Sequence, residues 1–226
     1  MTASRSWLFV CGLALAVMAP LRAAAWEAWP EVPPPPEAEV AAVASNMVFN
    51  GVSMRATTFK SSRSSEEIVA FYARLWGKQA VTGDMAGWRV VGHPQDGYYL
   101  TVQVRAEGQG STGHIGVMRI TDRDPPKPGS DFPTLPGTRV PNDIRYPDDR
   151  PPVRTLLLIN SRTPYENASF YERTLAAQQW QKVSHDACRP GASQCTDRYV
   201  RGTQNMDLSM ASGENAQTRI VVILLN

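Results

Sequence analysis

The chain has 226 residues, with 23 Lys and Arg against 21 Asp and Glu, and three cysteines. So small a charge excess lacks the electrostatic footprint of a nucleic-acid binder. It also lacks the basic amphipathic helix of a membrane-surface protein.

Residues 1–25 read as a cleavable secretory signal. Arg5 supplies the positive start, residues 7–19 form an apolar run broken by Pro20, and Ala23, Ala24 and Ala25 supply small residues at the cut. The run is shorter than the roughly 20 apolar residues a spanning helix needs. The expectation is therefore export to a bacterial-type periplasm or the exterior, with no stable membrane span after cleavage. Loss of Arg5 and Arg22 leaves 21 basic and 21 acidic residues.

The next segment, residues 26–45, reads as a Pro-rich spacer, stiff in the polyproline II manner, followed by a short helix over 37–45. Residues 46–123 form a first α+β repeat. Residues 124–152, rich in proline, read as a linker without helix or strand period. Residues 153–226 form a second repeat.

The case for repetition rests on matched positions. An offset of 99 aligns Arg55 with Arg154, Glu67 with Glu166, and Phe71-Tyr72 with Phe170-Tyr171. Ser64 and Glu67 are spaced as a capping box, as are Thr163 and Glu166, with Pro164 at the first helical position. Helices are predicted over 64–76 and 163–178. Ile68, Phe71, Tyr72 and Leu75 form an apolar stripe on the first. Trp88 is matched to Trp180, so strands over 88–91 and 180–184 follow the helices. Strands over 54–60 and 153–160 before the helices, alternating runs at 98–105 and 206–211, and last strands at 115–121 and 218–225 complete each copy. The predicted fold class is α+β: two tandem β-α-β-β-β repeats, each a mainly antiparallel sheet with one helix packed on one face. The final IVVILL is apolar on both sides and reads as a strand buried on both faces. A sheet face left bare would be a binding surface.

Phe170-Tyr171, Leu175 and Trp180 carry a resemblance. They resemble a helix-to-strand pattern of bacterial exported proteins of uncharacterised function, Phe-Tyr-x3-Leu followed by Gly-Trp. Gln179 replaces the glycine in the second copy. In the first copy Gly87-Trp88 is present and Trp76 stands in the leucine's place. The resemblance implies an α+β module of bacterial envelope type, and it carries no catalytic residues.

Cys188 and Cys195 survive signal cleavage. An even pair in an exported chain, spanning a Pro190-Gly191 turn, reads as a disulfide. A zinc site there would have only His185 nearby. His93, His114 and His185 form no metal-ligand spacing, and His93 to Gly97 reads as a turn. Ser111 with His114, Asp148 with Asp149, and Glu66 with Glu67 all have sufficient structural explanations. No nucleophile elbow or phosphate-binding loop occurs. Asn167-Ala168-Ser169 matches a glycosylation acceptor but falls within a helix. No metal, cofactor or catalytic residue is expected.

Arg55 and Arg154 on the strands, and Arg63 and Arg162 before the helix caps, are the candidate contacts for an anionic ligand or acidic partner. The expectation is a non-enzymatic envelope protein that binds or scaffolds another protein or peptide. The alternatives are a small molecule or glycan held in the cleft between the repeats, or an enzyme whose site the repeats assemble.

Overall fold

The computed structural model describes residues 29–184 and 188–226. The segment read as a secretory signal, residues 1–25, and His185 therefore lie outside the described residues. Within them the chain forms β1 (Ala38–Phe49), β2 (Val52–Ser61), α1 (Ser65–Trp76), β3 (Val81–Met85), β4 (Trp88–Gln95), β5 (Tyr98–Glu107) and β6 (Gly110–Arg119). Then follow β7 (Arg139–Tyr146), β8 (Val153–Asn160), α2 (Pro164–Ala177), β9 (Gln181–Lys182), β10 (Gln194–Arg201), β11 (Gln204–Ser212) and β12 (Thr218–Leu225).

All twelve strands belong to one sheet, ordered β3-β4-β5-β6-β2-β1-β7-β8-β12-β11-β10-β9, with antiparallel neighbours throughout. Local turn chemistry explains part of this. Asn50-Gly51, Ala86-Gly87 and Asp96-Gly97 all have positive φ at both positions, the geometry that reverses a strand in two residues. Read outward from the centre, β1-β2-β6-β5-β4-β3 and β7-β8-β12-β11-β10-β9 follow the same internal order.

The α+β prediction is corrected on this point. The chain is mainly β, one continuous antiparallel sheet carrying two helices, not two modules each with its own sheet. Sequence periodicity shows that a strand exists but not which distant strand continues its ladder. Four strands were missed: β1, β3, β7 and β10. Residues 38–49 are β1, where a short helix was predicted, and the Asn50-Gly51 turn was the available signal. The predicted linker contains β7. Its prolines sit where β7 has few ladder bonds to lose: Pro141 falls at a register shift and Pro147 just past the strand end. The Trp88–Trp180 match also fails. Trp88 opens β4, whose counterpart in the sheet is β10, beyond the cysteine loop.

The capping boxes form as expected. The Ser64 and Thr163 hydroxyls accept from the Glu67 and Glu166 amides, and the glutamates reach back to the cap N–H groups. Both helices lie on the same sheet face. Residues directly opposite each other share a face, and the pairs Val48–Ser53, Val48–Arg145 and Arg145–Arg154 connect the Phe59 side of β2 to the Leu156 side of β8. Phe59 packs under Ile68 and Tyr72 of α1, and Leu156 under Tyr171 and Leu175 of α2. Leu75 departs from its predicted stripe and is exposed, while Trp76 packs inward on Tyr72, ring centroids 5.2 Å apart.

The Pro-rich segments act as straps over these two cores. Tyr72 donates its hydroxyl to the Pro33 carbonyl at 2.7 Å, and Trp29 lies against Tyr98 at 5.0 Å. In the second half Phe132 is buried against Tyr171 at 5.8 Å. His93 and Pro94 belong to β4, not to a turn, and His93 is buried against Trp76.

Between the halves, β1 and β7 share only the pairs Val48–Arg145 and Phe49–Ile144. Asn50 extends the joint. Its N–H donates to the Asp143 carbonyl, its Oδ1 accepts from the Asp143 N–H, and its Nδ2 donates to the Pro141 carbonyl.

Candidate functional site

The most concentrated polar structure lies on the helix-bearing face where β7 meets β8. Strand alternation puts Asp143 and Arg145 on that face, and register puts Arg145 opposite Arg154. Arg154 is 7% exposed. Its Nε donates to Asp143 Oδ1 at 2.9 Å and its Nη2 to Asp143 Oδ2 at 2.7 Å. The same guanidinium holds Asp131 on the strap, Nη1 to Oδ2 at 3.0 Å and Nη2 to Oδ1 at 2.6 Å. The Gly129 N–H adds a bond to Asp143 Oδ2 at 3.0 Å, and Arg145 Nη2 one to Asp131 at 3.1 Å.

Burial alone would raise the pKa of Asp143. The bonds from Arg154 and the Gly129 amide outweigh it and hold the carboxyl below its ordinary range. The Arg154 hydrogen bonds likewise hold Asp131 low. Both carboxylates are ionised at neutral pH and the arginine stays charged.

Beside this cluster opens a pocket of about 360 Å³. Its floor is apolar, from Phe132, Leu175, Trp180, Met206 and Leu224, and its rim carries Asp131, Arg145, Arg154 and Arg201. Arg201 lies over the Trp180 ring at 4.5 Å. It donates to the Gln204 side-chain oxygen and to the Gln178 carbonyl. None of these partners is a carboxylate. The pocket lies within the second half rather than between the halves.

The four predicted arginines are not brought together. Arg55 is exposed over the Trp29 ring at 4.8 Å, and β1 and β7 separate it from Arg154. Arg63 pairs on the surface with Glu37 and Glu67, and Arg162 with Glu166 at 3.7 Å. Only Arg154 reaches the pocket. Asp131, Asp143, Arg145 and Arg201 were missed. The one sequence signal was the i, i+2 spacing of Asp143 and Arg145, which places both on one strand face.

Cys188 and Cys195 stand at disulfide distance, with Cα atoms 5.4 Å apart. They close the loop into β10 against the second core. Among the described residues no three His, Cys, Asp or Glu side chains group as metal ligands. A half-buried ion pair joins Lys182 to Asp197 at 2.8 Å, where β9 pairs with β10. Asn167 is fully buried and bonded to Asn160, so its glycosylation motif is inaccessible in the folded chain.

Among the described residues the opposite sheet face bears no helix. β12 corrects the expectation of a strand buried on both sides: Ile220 and Val222 are fully buried, whereas Val221 and Ile223 are 37% and 40% exposed. Cross-strand pairs place Tyr99, Met118, Met54, Phe49, Ile144 and Leu157 on this same face. Lys60, Arg105, Arg139, Arg198 and Arg219 outnumber Glu39, Glu107 and Asp207 there.

The described residues together define a sheet-based fold with both helices and the Pro-rich straps on one face and none on the other. No protein-family model, curated protein or solved structure matches the chain.

Proposed function

We propose that this is an exported, non-enzymatic protein that binds another protein through the helix-free face of its sheet. The exposed Val221 and Ile223 of β12 carry the reading. Leaving apolar side chains in water along a central strand costs stability, and exposed apolar positions on an uncovered sheet face favour a protein interface. The cationic excess on the face selects a partner whose apolar patch is edged by carboxylates. Export is supported by the Cys188–Cys195 pair, since disulfides persist in oxidising compartments. The matching order of the two halves supports duplication of one ancestral unit, with the open face spanning both copies.

The test is site-specific photocrosslinking in cells. A photoreactive residue at Ile223 or Tyr99 is expected to capture one discrete protein, and the same residue at Arg173 on the outer side of α2 is not. Val221→Asp with Ile223→Asp is expected to abolish the adduct while leaving Tm within about 3 °C, since both positions are already partly solvated. Equal capture from Arg173, or no capture from the open face, overturns the proposal.

A further inference from the structure

The two halves treat one position of the fold in opposite ways. Arg55 and Arg154 each stand nine residues before their helix caps, Ser64 and Thr163. In the first half the strap lays the Trp29 ring over Arg55. In the second half the strap sets the Asp131 carboxylate against Arg154. The twelfth helical residue differs as well, Trp76 in α1 and Leu175 in α2. Trp29 and Trp76 pack together with Tyr98, Leu100 and Val117 in one core cluster. Asp131 and Leu175 are smaller, and the space beside them is the 360 Å³ pocket. The first half keeps a smaller cleft of about 240 Å³ beside Arg55, between the strap at Val32 and Val117; the second half's cleft is larger and adds Arg145 and Arg201 to its lining.

The pocket's chemistry restricts that ligand. Its floor is apolar and aromatic. Its rim carries three guanidinium groups, Arg145, Arg154 and Arg201, against the single side-chain carboxylate of Asp131, while Asp143 neutralises Arg154. Arg201 meets only neutral groups among the described residues. Asp131 is 55% exposed at its side chain and sits on a strap rather than a strand. It already shows how a carboxylate seats between Arg145 and Arg154. We propose that this pocket binds a small organic carboxylate with a compact apolar body, whose carboxylate takes the place of Asp131 between Arg145 and Arg154. The apolar body covers Leu175 and Trp180, and the charge of Arg201 closes the far side. A volume of this size lies at the small end of ligand pockets, which selects a one- or two-ring acid and not a polymer.

The probe is 2-naphthoate, titrated against the full mature protein and followed by backbone amide shifts. Shifts are expected around Trp180, Arg145 and Met206, with saturation in the millimolar range or below. Asp131→Ala removes the internal competitor and is expected to tighten binding about fivefold to tenfold. Arg201→Gln is expected to weaken it by a similar factor. Leu175→Trp installs the first half's own residue and is expected to fold and to weaken binding at least about tenfold. Three results overturn the proposal: no saturable shift at millimolar probe, shifts confined to the helix-free face, or unchanged affinity in Asp131→Ala. The last holds even if Leu175→Trp proves unstable.

Discussion

Arg154 and Asp143 meet twice across neighbouring strands, at 2.9 and 2.7 Å, with both side chains less than a tenth exposed. Arg55 holds the corresponding place on β2 in the open, over a tryptophan ring. The same residue type is therefore structural in one half and peripheral in the other.

Arg154→Met is expected to cost about 3–5 kcal/mol, because it strands a buried carboxylate. Adding Asp143→Leu is expected to recover most of the loss. Arg55→Met is expected to cost less than about 1 kcal/mol. Urea unfolding of the three variants measures all three effects, and similar losses for Arg154→Met and Arg55→Met would contradict the assigned burial.

The same cluster sets an acid limit. Asp131 and Asp143 have pKa values held below the ordinary range in the folded chain, so protons bind the unfolded chain more readily. The stability they supply is complete at neutral pH and drains away as pH falls below about 4. Asp143→Asn is expected to lower the urea midpoint at pH 7, and its deficit relative to wild type is expected to shrink towards pH 3. A deficit that stays constant with pH would show that the charge is not responsible.

Asn160 and Asn167 exchange amide bonds at 2.8 and 3.1 Å in the second half. In the first half Ser61 and Ile68 stand at these places, Ser61 accepting from the Arg63 N–H as Asn160 does from Arg162. Asn167→Ile alone leaves the Asn160 amide short of a partner, at a cost of about 1–3 kcal/mol. The double change Asn160→Ser with Asn167→Ile is expected to recover at least half of that. A double-mutant cycle on unfolding free energies reads the coupling, and strict additivity would argue against equivalent positions.

Closing the short Cys188–Cys195 loop contributes about 2–3 kcal/mol in the chain-entropy model. Reduction, or replacement of both cysteines by serine, is expected to lower Tm by several degrees and to leave the first-half core unchanged. Hydrogen exchange resolves this: protection is expected to fall in β10 and β11 and to persist in β5 and β6.

Much of the local architecture was legible in the residues. The spacing of Ser64 with Glu67 and of Thr163 with Glu166 set both helix starts, because a capping box is closed by groups within four residues of each other. The alternation Leu100-Val102-Val104 and Met206-Leu208-Met210 located core-facing strand positions, all of them buried. The pairing of Cys188 with Cys195 followed from count and turn chemistry. The candidate site was hardly legible, since Asp131, Arg154 and Arg201 lie far apart in the chain and none carries a motif.

Tertiary structure alone decided that the strands join in one sheet and that β12 is covered on one side only. An apolar strand has the same sequence whether its second face meets a layer or water. What settles the matter is the position of elements tens of residues away, and Val221 and Ile223 stand exposed because both helices packed on the other side.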